Sequence, residues 1–236
     1  MNPGAPRLDA RACVLIFCAL ASVNLTLDAI YIARVWAMKQ EAGLEFLRSH
    51  PRLSIDEDQG LSELFEYLES GLTALALVWC AARYRVGAYV AFATAHLWLL
   101  LDNGLSVHEH VGAWIRSVAP LPSSMTISQP GGELSYFGAV GAIGVTGFWV
   151  ACRKAPSAHR PMLALLGAGL LGIGFFAVGV DVVHASGVWS PAQEALVILV
   201  EDGGEALAIS ASLAIAAGIL CGAWPARYAG ALRASA

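Results

Sequence analysis

The sequence predicts an all-α bundle of about six membrane-spanning helices, and three observations carry that prediction. Charged residues make up only 14% of the 236 residues, whereas a soluble domain carries about a quarter. The mean hydropathy is +0.63. Six stretches are apolar over the roughly 20 residues that a helix needs to cross a bilayer. Lipid is therefore the expected surrounding of most of the chain, and the net charge of −4 argues against nucleic acid as a partner.

The six apolar stretches follow one another closely and are expected to form one transmembrane domain over 1–236. The connection at 37–60 is rich in turn and polar residues and is expected to be partly helical, whereas 109–132 is expected to be an outer loop. The spans are predicted at roughly 12–35, 61–82, 86–108, 133–152, 162–184 and 192–222.

Positive charges predict the direction in which the chain threads the membrane. Cytoplasmic segments carry an excess of lysine and arginine, and with the N-terminus inside, the count is nine on the inner side against five on the outer side. Both termini are therefore expected in the cytoplasm, and the membrane is expected to be a bacterial inner membrane. The inner residues are Arg7, Arg11, Arg83, Arg85, Arg153, Lys154, Arg160, Arg227 and Arg233, and the outer ones are Arg34, Lys39, Arg48, Arg52 and Arg116.

A cleaved signal peptide is the alternative for the first span. Arg7 and Arg11 precede an apolar run that contains Ala19-Leu20-Ala21, a passable cleavage signal. The apolar character continues past any cut, through Ile32. That continuation favours a retained span.

Glycines recur every third residue in span four, from Gly138 to Gly147, and span five holds four more between Gly167 and Gly174. Small residues let helices approach closely in lipid. Both spans are therefore expected to pack tightly against neighbouring helices.

Acidic residues gather at the outer face. Of the 18, only Asp9 falls on the cytoplasmic side. Several lie inside apolar runs, where each charge costs about 2.5–3.5 kcal/mol at the bilayer centre and less toward its edge. Helix geometry places them in the outer part of four different spans, so we expect them to converge. These residues and their neighbouring imidazoles are Glu69, Asp102, His108, Asp181, His184, Glu201, Asp202 and Glu205.

A divalent metal or shared protons could stabilise such a cluster, because few lysines or arginines are placed to neutralise it. The metal hypothesis takes Asp102, His108, Asp181, His184, Glu201 and Glu205 as ligands, with uncoordinated Glu69 or Asp202 as general base. Asp181-Val182-Val183-His184 matches half of a carboxylate-bridged two-metal pattern, with Asp in place of Glu. Mixed oxygen and nitrogen ligands suit zinc, iron or manganese.

The segment Leu101-Asp102-Asn103 through His108-Glu109, followed by Asp181 and then Glu201-Asp202-Gly203, resembles a group of uncharacterised bacterial multi-span proteins. That group carries Asp-Asp then His-Glu, a later lone Asp, and a Glu-Glu pair opening the last span. The likeness covers spans three to six and departs at Asn103 and Asp202. It implies a site and no activity.

The seven-span ceramidase and adiponectin-receptor-like zinc hydrolases offer only an analogy for how zinc within lipid activates water. This chain has six predicted spans and no His-x-x-x-His near its end.

Three functions from different classes remain open. The favoured one is a membrane metalloenzyme, a hydrolase or oxidase, whose outward-facing site takes a lipid or another apolar substrate from the bilayer. The second is a transporter or channel for protons or divalent cations, which requires polar groups that continue toward the cytoplasmic side. The third is an accessory subunit that docks a protein partner of unknown identity on its acidic outer surface.

Overall fold

The computed structural model describes residues 7–39, 45–57, 59–118 and 130–222. Within these ranges the secondary structure is helical and contains no strand, so the all-α prediction is confirmed. Short 3₁₀ turns at Pro51–Leu53 and Ser157–His159 and a π-helical segment at Phe175–Val180 interrupt the α-helices. The α-helices are α1 Ala10–Lys39, α2 Glu45–Ser49, α3 Leu61–Tyr84, α4 Ala88–Gly104, α5 Val107–Val118, α6 Pro130–Lys154, α7 Arg160–Gly174, α8 Asp181–Ser186 and α9 Pro191–Gly222.

Several of these helices are long and apolar enough to cross a membrane. Five segments of the described chain have the length and hydropathy that a membrane span requires, namely α1, α3, α6, α9 and the combined segment Ser157–Ala185. Helices α4 and α5 make a sixth if the bent pair counts as one span. Arg227 and Arg233, counted above as inner charges, lie outside the described residues.

The third span differs from its prediction. We expected one helix over 86–108 followed by a loop, but α4 ends at Gly104 and α5 leaves it at 73°. Ser106 sits in the break with φ of 46°, a left-handed conformation that does not continue a helix. Much of the expected outer loop 109–132 is therefore helix, and 119–129 lies outside the described residues.

Helix α9 is the centre of the bundle, where it packs against α1, α3 and α7, while α4 packs on α3 and α6 pairs with α5. The apolar core lies at one end of the bundle, between the end of α3, the start of α4, the start of α7 and the end of α9. It includes Leu77 and Cys80 of α3, Phe92 of α4, Leu166 of α7 and Ile219 of α9, all at most 1% exposed. The buried carboxylates Glu66 and Glu69 of α3 and Asp102 of α4 lie toward the opposite ends of these helices.

The close helix packing that the glycines predicted is found for α7 but not along most of α6. A Cβ built on Gly169 of α7 would lie 2.4 Å from the Ser212 hydroxyl of α9, so these helices do approach closely. In α6, no neighbouring atom of the described chain lies within 4 Å of a Cβ built on Gly138, Gly141 or Gly147. The close approach of α6 occurs instead at its start, where Gly132 lies against the backbone of Gly112 in α5.

Candidate functional site

The buried acids occupy the end of the bundle opposite the apolar core. Glu69 is fully buried, and Asp102 and Glu66 are 3% and 8% exposed. The α3–α4 register, in which Gly71 lies beside Leu100 and Gly104 beside Tyr67, places Glu69 level with Asp102. The candidate site is therefore a layer of carboxylates between neighbouring helices.

Asp102 is bracketed by a phenol and an imidazole. The Tyr136 hydroxyl of α6 donates a hydrogen bond of 2.7 Å to Asp102 Oδ1, and His108 Nδ1 of α5 lies 3.4 Å from Oδ2. Residues six apart on a straight helix lie about 120° apart around its axis. The bend between α4 and α5 removes that separation and turns His108 back toward Asp102.

His184 lies between two carboxylates of α9. Its Nδ1 is 2.8 Å from Glu201 Oε2, and its Nε2 is 3.0 Å from Glu194 Oε1. A neutral imidazole offers one donor and one acceptor, so two ionised carboxylates are both satisfied only when both ring nitrogens carry protons, and otherwise one carboxyl group holds the proton. The Trp189 indole also donates to the His184 backbone carbonyl at 2.8 Å, which holds the end of α8 in place.

The π-helical segment Phe175–Val180 precedes Asp181 directly. Such a segment makes i→i+5 bonds and is frequent at functional sites, because it alters the direction in which the following side chains face. Asp181 interacts electrostatically with both His108 and His184. It therefore lies between the two acid–imidazole pairs without a hydrogen bond to either.

Glu69 is held from two helices. The Ser210 hydroxyl of α9 donates to Glu69 Oε1 at 2.6 Å, and the Asn24 amide of α1 donates to the same hydroxyl at 2.9 Å. Glu69 Oε2 is buried and has no hydrogen-bond partner among the described residues. This carboxylate therefore has one oxygen fixed and one available.

The remaining carboxylates lie between α3 and α9. Glu66 interacts electrostatically with Glu205 and Asp202, and Asp202 interacts with Glu201 and Glu205. The Asn103 side chain of α4 faces Glu205, and His108 interacts with Glu205 electrostatically. Arg34, which precedes this layer in α1, donates to the Ser54 hydroxyl at 3.1 Å. Within the described part of the chain, Arg34 makes no ion pair with the acidic layer, whereas His108 and His184 contact its carboxylates.

The predicted ligands do not assemble into one metal site. Among the described residues, no group of three or more His, Cys, Asp or Glu side chains is placed to hold a metal ion. The six expected ligands instead form the contact pairs Asp102–His108 and His184–Glu201, and within the described part of the chain neither Asp181 nor Glu205 makes an ion pair with a histidine. The two expected general bases also separate, because Glu69 binds Ser210 whereas Asp202 lies among the carboxylates of α9.

Three residues of this site were missed in the sequence. Glu194 lies seven residues before Glu201 on the same face of α9, so its spacing was a usable signal. Tyr136 and Ser210 carried no signal of their own, because a hydroxyl within an apolar run can bond to its own helix instead.

A polar line leads from this layer toward the other end of the bundle. Tyr89, His96 and Asn103 lie seven residues apart on one face of α4, and Tyr89 and His96 are fully buried. Neither ring nitrogen of His96 has a hydrogen-bond partner among the described residues. At the far end, the Tyr89 hydroxyl lies 3.2 Å from Nδ1 of His159.

These features define an all-α protein with up to six helices suited to a membrane and a buried layer of acids and imidazoles at one end. Residues 53–218 match the model of a family described as "Domain of unknown function (DUF8692)". The match covers more than half of the chain, which therefore belongs to this family. No curated protein and no solved structure matches the chain. The resemblance to the motif-bearing bacterial group stays a prediction.

Proposed function

We propose that this protein is an integral membrane protein that carries protons between an outer acid–imidazole layer and the cytoplasmic side. Insertion in a bilayer is supported by large apolar side chains that face outward. Leu15 is 70% exposed, Leu171 71% and Ile143 74%. Such side chains need lipid contact rather than water. The proposal keeps both termini in the cytoplasm of a bacterial inner membrane, following the bias of lysine and arginine.

The observation that carries the proton proposal is the buried position of His96. It lies six residues from Asp102 along α4, about 9 Å deeper, and Tyr89 lies about 10 Å deeper again. Buried polar groups normally find hydrogen-bond partners, and ionisable residues inside membranes mark proton relays and ion paths. A buried imidazole with both nitrogens open supplies the inward polar step that the sequence analysis required of a transporter or channel.

The outer layer suits proton exchange. Its carboxylates lie close together with few cations, so protons must be bound to part of the layer whenever it is buried. His184 and Glu201 are joined by a hydrogen bond of 2.8 Å along which a proton can pass, and Asp102 and His108 form a second acid–imidazole pair at 3.4 Å. Glu69 lies level with Asp102, where the line to His96 begins, and its Oε2 has no hydrogen-bond partner among the described residues.

Purified protein in liposomes loaded with a pH-sensitive dye tests the proposal. An imposed pH gradient, with valinomycin and potassium to remove the membrane potential, should collapse faster than in protein-free liposomes. Glu69→Gln keeps an oxygen for the Ser210 hydroxyl but cannot ionise, and we expect the flux to fall by about ten-fold or more. Glu57→Gln, an exposed position outside the layer, is the matched control and should retain the flux.

A flux equal to that of empty liposomes would contradict the proposal. So would a Glu69→Gln protein that folds and conducts like the unaltered protein.

A membrane metalloenzyme is the second candidate, and the position of Asp181 favours it. Because Asp181 interacts with both His108 and His184, a modest movement of α8 could bring the two acid–imidazole pairs toward one ion. The substrate would be a lipid or another apolar molecule from the bilayer. Elemental analysis of the purified protein separates the two candidates. Stoichiometric zinc, iron or manganese that is lost in Asp102→Ala with Glu201→Ala would favour the enzyme.

A further inference from the structure

A second polar feature lies on the outside of α9, away from the contacts described above. Asp28 is half-buried in the apolar helix α1, and its Oδ1 would lie 3.2 Å from a Cβ built on Gly203. The carboxylate therefore rests directly on the backbone of α9. The structure gives it no hydrogen bond and no ion pair within the described part of the chain. Asp28 is thus an acid in an apolar helix without a polar partner among the described residues.

Asp28 forms the wall of a groove of about 460 Å³ between α1, the π-helical segment and α9. The rest of the lining is apolar, and the groove opens to the outside of the bundle, since Leu25, Ile32 and Val200 are 58%, 53% and 45% exposed. That opening faces the lipid in the proposed membrane position. A molecule that enters it must therefore dissolve in the bilayer.

One aromatic ring lies in the same groove. Phe176 packs so closely on Gly204 that a Cβ there would lie 2.3 Å from the ring. The adjacent glycines of α9 thus leave room for two side chains, with Asp28 against Gly203 and Phe176 against Gly204. An aromatic face and a carboxylate both attract a cation, the ring through its quadrupole.

We infer that this groove binds lipophilic organic cations that arrive from the bilayer. The Asp28 carboxylate attracts a positively charged ligand, because it has no counter-ion among the described residues. The apolar walls exclude a strongly hydrated metal ion. The apolar walls select a ligand whose charge is delocalised or shielded by hydrocarbon. This site is separate from the proton line, so it stands whether or not the protein conducts protons.

Equilibrium binding of radiolabelled tetraphenylphosphonium to the detergent-purified protein tests the inference. We expect saturable binding that Asp28→Asn weakens by about ten-fold or more and Asp28→Glu largely restores. Tetraphenylborate has the same shape with the opposite charge and should not compete. Val200→Trp fills the groove and should also weaken binding, while Val150→Trp on α6 is the matched control.

Wild-type affinity in Asp28→Asn, equal competition by tetraphenylborate, or no saturable binding at all would each overturn the inference. Circular dichroism and size-exclusion elution establish that each variant is folded. His96→Phe should bind the cation normally, so a failure of the proton proposal does not carry over to the groove.

Discussion

Asp102 and His108 face each other at 3.4 Å because the helix that carries them breaks between Gly104 and Val107. On a continuous helix the two side chains would point to different sides of the bundle. The break also leaves α4 only 17 residues long, about 25 Å at the usual rise. The junction of α4 and α5 is therefore a corner, and the acid–imidazole pair occupies the inside of it.

The bond between Ser210 and Glu69 gives a prediction about stability. Ser210→Ala removes the hydroxyl that donates to the buried carboxylate and accepts from Asn24, so both groups lose a partner. We expect a loss of about 1–3 kcal/mol in the free energy of unfolding, measured by denaturant titration in detergent. Ser212→Ala is the control, since its hydroxyl bonds only to the Ala208 carbonyl of its own helix. If both variants lose the same free energy of unfolding, the hydrogen bond to Glu69 makes no specific contribution to stability.

The crossing of α5 and α6 gives a second prediction. A Cβ on Gly132 would lie 2.1 Å from the Gly112 carbonyl oxygen, so the two backbones must separate in Gly132→Ala. Overpacking of this kind costs about 1–3 kcal/mol, and unfolding in detergent measures it. Gly141→Ala, on the same helix with open space around it, should be neutral or slightly stabilising. A neutral Gly132→Ala would mean that the helices cross elsewhere.

Threading of the chain gives a third prediction. In a cysteine-free background, Glu57→Cys lies in an exposed connection on the proposed outer side, and Ser157→Cys lies in an exposed turn on the inner side. A membrane-impermeant maleimide added to intact cells should label the first and not the second. Permeabilised cells should label both. The reverse pattern would place the acidic layer on the cytoplasmic side.

The helices could be predicted from the sequence because apolar runs of about 20 residues rarely form any other structure. The break after Gly104 could not, since it depends on the conformation of Ser106 and not on a loss of apolar character. The close packing predicted for the glycines of α6 failed for a related reason. They permit close approach, but whether a helix fills that space depends on its neighbours, and here the contact moved to Gly132.

The residues of the candidate site were predictable from their cost in lipid, but their pairing was not. Glu69 and Asp102 are recognisable in the sequence because each is a carboxylate within an apolar segment. Their partners Ser210 and Tyr136 lie on helices distant in sequence. His96 can be read from the sequence as a mid-span imidazole, for which a hydrogen bond between packed helices is the ordinary interpretation. Its two open nitrogens, which only coordinates reveal, change that interpretation.

Proton flux through His96→Phe in liposomes tests the central claim most directly. Phenylalanine fills the buried space but cannot carry a proton, so we expect flux under an imposed pH gradient to fall by about ten-fold or more. Thr94→Val, two residues away on the exposed face of α4, should conduct like the unaltered protein. A folded His96→Phe protein with undiminished flux would contradict the account.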